Sequence, residues 1–108
     1  MKLYVGGIYQ GQEDLAREEN PEAHIIPDFH EKVRSAVSCG KDPREFARKT
    51  VHDFPEAVIV ANEVGSGVVP IEASDRAWRE AVGRALCTIA QASETVTRVV
   101  CGIGVRIK

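Results

Sequence analysis

The sequence predicts an α/β fold in which a mostly parallel sheet of about five strands lies between two helical layers, with an antiparallel edge at its C-terminal end. Three stretches carry this reading. Lys2 to Val5 is a β-prone run that leads through Gly6-Gly7-Ile8-Tyr9-Gln10-Gly11 into helix-forming residues, the order strand, glycine loop, helix. Ala57 to Ala61 is nearly all apolar and β-branched, as in a parallel strand covered on both faces. Ala77, Trp78, Ala81, Val82, Ala85, Leu86, Ile89 and Ala90 recur at helical spacing and give a long helix one broad apolar face.

With 108 residues the chain fits one domain, 1–108, large enough for a real core. Hydrophobic residues at 44% and charged residues at 28% exclude a disordered chain. A net charge of -2 and a pI near 5.9 leave no basic footprint for nucleic acid. The apolar runs are too short to span a bilayer, and Met1-Lys2-Leu3 enters a strand rather than a signal segment, so a cytoplasmic protein with no membrane partner is expected. Cys39, Cys87 and Cys101 form no Cys-x-x-Cys pair, which argues against a disulfide frame or a zinc site; they read as small core residues, and no metal ligand set is assigned.

After the first strand, Asp14 to Glu19 is a helical run with acid near its start, as the helix dipole favours. The interval from Gly6 to Gly11 fits the phosphate-loop pattern G-x-x-x-x-G-K-[ST], but Gln12 replaces the lysine and Glu13 the magnesium-binding hydroxyl. Backbone N–H groups at the helix start can still receive an anion. Glu13 and Asp14 oppose it, since a like-charge contact at ~4 Å costs on the order of 4 kcal/mol at an effective dielectric of about 20. Two readings stand: an eroded nucleotide loop, and a glycine-rich turn without a ligand.

Asn20-Pro21 ends the first helix, and Ala23 to Ile26 reads as a second short strand. Asp28 is placed to cap a helix over about Phe29 to Ser38, whose Val33 and Val37 face a core. Asp28 is also placed as a metal-organising carboxylate, and His30 as a nucleophile or base at a strand end. The competing readings are a plain cap for Asp28 and a surface or capping histidine for His30; His24 and His52 carry less signal. Asp42-Pro43 starts a third helix with aspartate as cap and proline at the first helical position.

The strand at Ala57 to Ala61 ends in Asn62-Glu63, followed by Gly65 and Gly67. Ligands of open α/β sheets sit beyond the carboxyl ends of the strands, which makes this polar pair a candidate site. Ser74 and Asp75 open the long helix, which runs to about Ala92 and packs on the sheet, with Trp78 as a core or interface anchor. Arg76, Arg79 and Arg84 read either as ligands for an anion or as solvated helix charges, with Arg79 near Glu72 and Glu80. Thr95 to Cys101 forms a further strand, turned by Gly102-Ile103-Gly104 into a short antiparallel edge at Val105 to Ile107.

From Val58 to Lys108, the residues Asn62-Glu63-Val64-Gly65-x-Gly67-x-Val69-Pro70, Arg76-x-x-Arg79, Gly83-Arg84 and the terminal Cys-Gly-Ile-Gly-Val-Arg-Ile-Lys resemble the C-terminal half of the adenosylcobinamide kinase/adenosylcobinamide-phosphate guanylyltransferase family. The Gly6-Gly7-x-x-x-Gly11 loop agrees with the same family's phosphate loop. The resemblance implies a P-loop-containing three-layer fold, a place in cobamide biosynthesis, GTP or ATP with Mg as phosphate source, a corrinoid as the second ligand, and a homo-oligomer.

Carried over by position, Gly6, Gly7, Gly11, Gln12 and Asn62 would hold the nucleotide, His30 would stand nearest the family's guanylyl-accepting histidine, and Glu63 would act as metal organiser or base. The basic segment around that histidine and an Asp-Cys-Leu-Thr-like magnesium strand are not reproduced. The resemblance therefore implies a shortened nucleotide-binding relative in which transferase activity is uncertain, or an inactive binding or scaffold subunit on the same fold.

Overall fold

The computed structural model describes residues 1–63 and 73–108. The elements run β1 (Lys2–Gly6), α1 (Gln12–Glu19), β2 (Ile25–Ile26), α2 (Phe29–Ser38), α3 (Pro43–Asp53), β3 (Val58–Asn62), α4 (Ala73–Ala92), β4 (Thr95–Val100) and β5 (Ile103–Arg106). The five strands form one sheet in the order β2-β3-β1-β4-β5, parallel throughout except for the antiparallel β4–β5 edge. This is the three-layer α/β architecture expected from the sequence. The Gly65-x-Gly67 turn and Glu72 lie outside the described residues.

Strand alternation sorts the side chains onto two faces. Leu3, Val5, Ile59, Ala61 and Val96 meet Phe29 and Val33 of α2, Ala47 of α3, and Val82, Ala85 and Ile89 of α4. On the opposite face, Tyr4, Val58, Val60 and Val99 are covered by Ala16 and Leu15 of α1. Because both faces of β1 and β3 are covered, both strands are apolar along nearly their whole length. Trp78 packs against the larger cluster, with the Arg34 guanidinium 4.7 Å from its ring centroid, so it is a core anchor as expected.

Local chemistry explains most boundaries. Asp42 caps α3, accepting from the Glu45 N–H at 3.0 Å, and Pro43 occupies its first position. Gly6 lets β1 approach β4 closely: a Cβ there would stand 2.5 Å from the Val99 carbonyl oxygen. The β4–β5 turn falls at Cys101-Gly102, one residue earlier than the sequence suggested. Both residues have positive φ, 51° and 76°, as a two-residue hairpin turn requires. Gly104 consequently lies inside β5, where Leu15 Cδ2 would be 2.8 Å from an added Cβ.

Several local expectations are corrected. All three cysteines are exposed rather than in the core. Cys39 ends α2, Cys87 lies on the outer side of α4, and Cys101 occupies the hairpin turn, so none faces a packed layer. Asp28 precedes α2 at the N-cap position but has left-handed backbone (φ 52°), and its side chain makes no capping hydrogen bond. Among the described residues, the ion pair on α4 joins Glu80 to Arg84 rather than to Arg79, while the alternative partner of Arg79, Glu72, lies outside them. Among the described residues, no helix is long and apolar enough to cross a membrane.

Candidate functional site

The carboxyl ends of β1 and β3 lie side by side, with Gly6 in register with Asn62. The glycine loop leaves β1 at this point and returns as α1, whose N-cap is Gly11 with φ 84°, a backbone state that glycine adopts without strain. The Glu63 N–H donates to the Gly6 carbonyl at 2.8 Å and ties the two strand ends together.

Gln12 is the centre of the arrangement. It is 5% exposed, and its Nε2 lies 2.7 Å from Asn62 Oδ1, 3.1 Å from the Gly7 carbonyl and 3.3 Å from the Gly6 carbonyl. The Ala61 carbonyl is 3.5 Å away. An amide nitrogen has two protons to donate, so the four oxygens around it outnumber what it can satisfy fully at one time. Their combined negative potential suits a positively charged nitrogen; Gln12 places a neutral one there.

Beneath Asn62, its backbone N–H donates to His30 Nδ1 at 3.1 Å. Accepting at Nδ1 puts the ring proton on Nε2, which lies 3.8 Å from Glu31 Oε1. His30 is 6% exposed, which corrects the surface-histidine reading. A buried ring nitrogen that accepts from a backbone N–H locks the end of β3 to the first turn of α2.

A cleft of about 430 Å³ opens over the loop, lined by Ile8, Tyr9, Gly11, Gln12, Glu13, Asp14, Asp28, Val60, Ala61 and Asn62. Gly11, Gln12, Asn62 and Asp28 are thus brought together, whereas Gly6 and Gly7 do not line the cleft and meet Gln12 through their carbonyls. His30 sits behind Asn62, and Glu63 turns toward Arg98, with Arg98 Nε 3.7 Å from Glu63 Oε2. Neither lines the cleft. Among the described residues, the acids Glu13, Asp14 and Asp28 line the cleft and no Lys or Arg does; Arg17 lies outside it, paired with Glu13 at 3.1 Å.

No group of three or more His, Cys, Asp or Glu side chains among the described residues is arranged to hold a metal ion. Magnesium that arrives with phosphate oxygens asks for only one or two protein carboxylates, and of the acids that line the cleft Glu13 is already paired with Arg17.

Two contributors were not singled out in the sequence. Gln10 carries the loop onto the C-terminal hairpin: its Oε1 accepts from the Cys101 N–H at 2.7 Å, and its carbonyl accepts from the Gly102 N–H at 2.8 Å. Arg98 reaches Glu63 because β4 runs parallel to β1 with Val99 beside Gly6. Both contacts span the sheet, and no local motif announces them.

The model of the cobinamide kinase / cobinamide phosphate guanyltransferase family matches residues 23–107 of this chain. The chain is similar to two bifunctional adenosylcobalamin biosynthesis proteins, one from Salmonella typhimurium and one from Escherichia coli. Each is 45% identical over 53 residues, a match that spans 49% of this chain and 29% of the relative.

Proposed function

Since this chain belongs to the cobinamide kinase / cobinamide phosphate guanyltransferase family, we propose that it serves cobamide biosynthesis as a nucleotide-binding protein with its site at the Gly6–Gln12 loop. The observation that carries the reading is the Gln12 amide, seated among the Gly6, Gly7 and Asn62 oxygens where the phosphate-loop pattern calls for a lysine. GTP or ATP, accompanied by Mg, would lay its phosphates over Gly11 and the start of α1, with Asn62 fixing the loop from below. A corrinoid would be the second ligand.

In this reading the loop binds better than it catalyses. Phosphoryl transfer depends on positioning and on stabilising charge that develops at the phosphate oxygens, and the neutral Gln12 amide supplies no such charge. Glu63 and His30 stand behind the cleft, where His30 Nδ1 is committed to the Asn62 N–H and Glu63 faces Arg98, so in this reading they position Asn62 and the strand end.

Calorimetry with Mg-GTP and Mg-ATP tests the proposal on the wild-type chain and on Gln12→Lys combined with Glu13→Ser. The double variant should bind about tenfold more tightly or better, because an ammonium enters the oxygen cage and a carboxylate leaves the cleft. Equal affinity of the two proteins would sink the nucleotide reading. Turnover of cobinamide by the wild type, measured beside it, would move the conclusion from binding to catalysis.

An inactive scaffold subunit is the second reading, and the sheet edge favours it. Val100, Ile103, Val105 and Ile107 are 50–68% exposed, at the end of a sheet whose outer strand offers unpaired backbone groups. A second copy pairing its own β5 antiparallel to this one would cover both the apolar side chains and the open edge, which makes a homo-oligomer the assembly this surface suits.

A further inference from the structure

At the opposite side of the sheet from β5, a cleft of about 690 Å³ lies between β2 and the α2–α3 pair. It shares no lining residue with the loop cleft. The volume falls within the range of about 300–1,000 Å³ typical of small-molecule sites. Phe29 and Phe46 contribute stacked rings, with centroids 5.8 Å apart. Phe54 is 44% exposed, and the His24 ring meets it edge-on at 5.3 Å, which holds it upright in the wall of the cleft.

Charge around this apolar interior is uneven in its commitments. Each carboxylate that lines it is already engaged: Asp42 accepts from the Glu45 N–H, Glu45 pairs with Arg48, and Asp53 pairs with His52 at 3.2 Å. Lys32, Lys41 and Lys49 also line the cleft, and among the described residues none of their ammonium groups forms an ion pair. Three lysines without an ion pair among the described residues therefore line the same concave surface as the exposed Phe54 and the half-buried Phe46, with Phe29 buried behind. A ligand that satisfies both needs a flat apolar body and a negative group at one end. A peptide strand is less suited, because β2 has only two residues and offers few backbone pairs along its edge.

We propose that this cleft binds a small aromatic carboxylic acid, its ring against Phe46 and Phe54 and its carboxylate among Lys32, Lys41 and Lys49. The site is independent of the nucleotide loop.

The probe is 1-naphthoate, titrated into the isotope-labelled full chain while backbone amide shifts are recorded. Saturable shifts confined to α2, α3 and the His24–Pro27 stretch are expected. Naphthalene-methanol, of similar shape but neutral, should bind about tenfold more weakly, and Lys32→Ala with Lys49→Ala should weaken naphthoate by a similar factor. These lysines are exposed, so the variant keeps its fold. Gln12→Lys with Glu13→Ser should leave naphthoate binding unchanged, which separates this site from the loop. Shifts that do not saturate, shifts spread over the whole surface, or equal binding of the neutral probe would overturn the proposal.

Discussion

Gln12 Nε2 and Asn62 Oδ1, fifty residues apart, meet at 2.7 Å across the ends of β1 and β3. The contact joins the first residue of α1 to the last residue of β3, so the glycine loop is closed by the helix that follows it and the strand beside it. A double-mutant cycle with Gln12→Ala and Asn62→Ala measures its worth. Chemical denaturation should give a coupling energy of about 0.5–1.5 kcal/mol, the usual net value of such a bond. Strict additivity would mean that the two side chains do not act together in solution.

Replacing Gly6 tests the close approach of β1 to β4. An alanine Cβ at 2.5 Å from the Val99 oxygen cannot be relieved by a side-chain rotation, because the obstructing atom is backbone. Gly6→Ala should destabilise the chain by about 1–3 kcal/mol, which thermal unfolding would register as a lower Tm. Gly104→Ala should cost less, since Leu15 Cδ2 and Thr97 Cγ2 belong to side chains that can shift.

His30 should be replaceable only by a residue that keeps its acceptor. With His30→Phe, the half-buried Asn62 N–H loses its partner, at a cost of about 1 kcal/mol. His30→Asn can present its Oδ1 near the position of Nδ1 and should retain more stability than the phenylalanine variant. Denaturation midpoints of the two variants in the reverse order would remove the hydrogen bond from the account.

Tyr4 gives the fold an alkaline limit. Its hydroxyl is raised above the ordinary tyrosine range first by burial and then by its hydrogen bond to Glu19, against a smaller opposing effect of Asn20. A raised folded-state value means that the folded chain holds the proton longer than the unfolded one. The stabilising contribution is complete below the unfolded tyrosine value and is lost as pH rises through the folded one. Stability of the wild type should therefore fall more steeply than that of Tyr4→Phe when the pH is raised past the ordinary tyrosine range, with urea midpoints as the measurement.

The β5 edge predicts an assembly that charge should dissolve. Ile103→Lys with Val105→Lys places two ammonium groups on the exposed apolar row, a means by which natural edge strands avoid pairing. Sedimentation should show a smaller species than the wild type. A wild-type chain that sediments as a monomer at high concentration would refute self-association through this edge.

The sequence by itself determined the order of elements and the place where a site could form. The continuous apolar, β-branched strand at Ala57 to Ala61 and the period of nearly four in the helices are local signals, and so are the cap at Asp42-Pro43, the glycine loop and the Asn62-Glu63 strand end. Those signals sufficed for the fold class and for a resemblance that the family match bears out. The tertiary structure alone decided what the side chains at the site touch. That Gln12 lies in a cage of oxygens, that His30 is buried under Asn62, and that Gln10 docks on the Cys101-Gly102 turn all depend on strand order and register. Burial of the cysteines failed for the same reason: an apolar residue type says that a side chain can be buried, and only the packing of helix on sheet says which ones are.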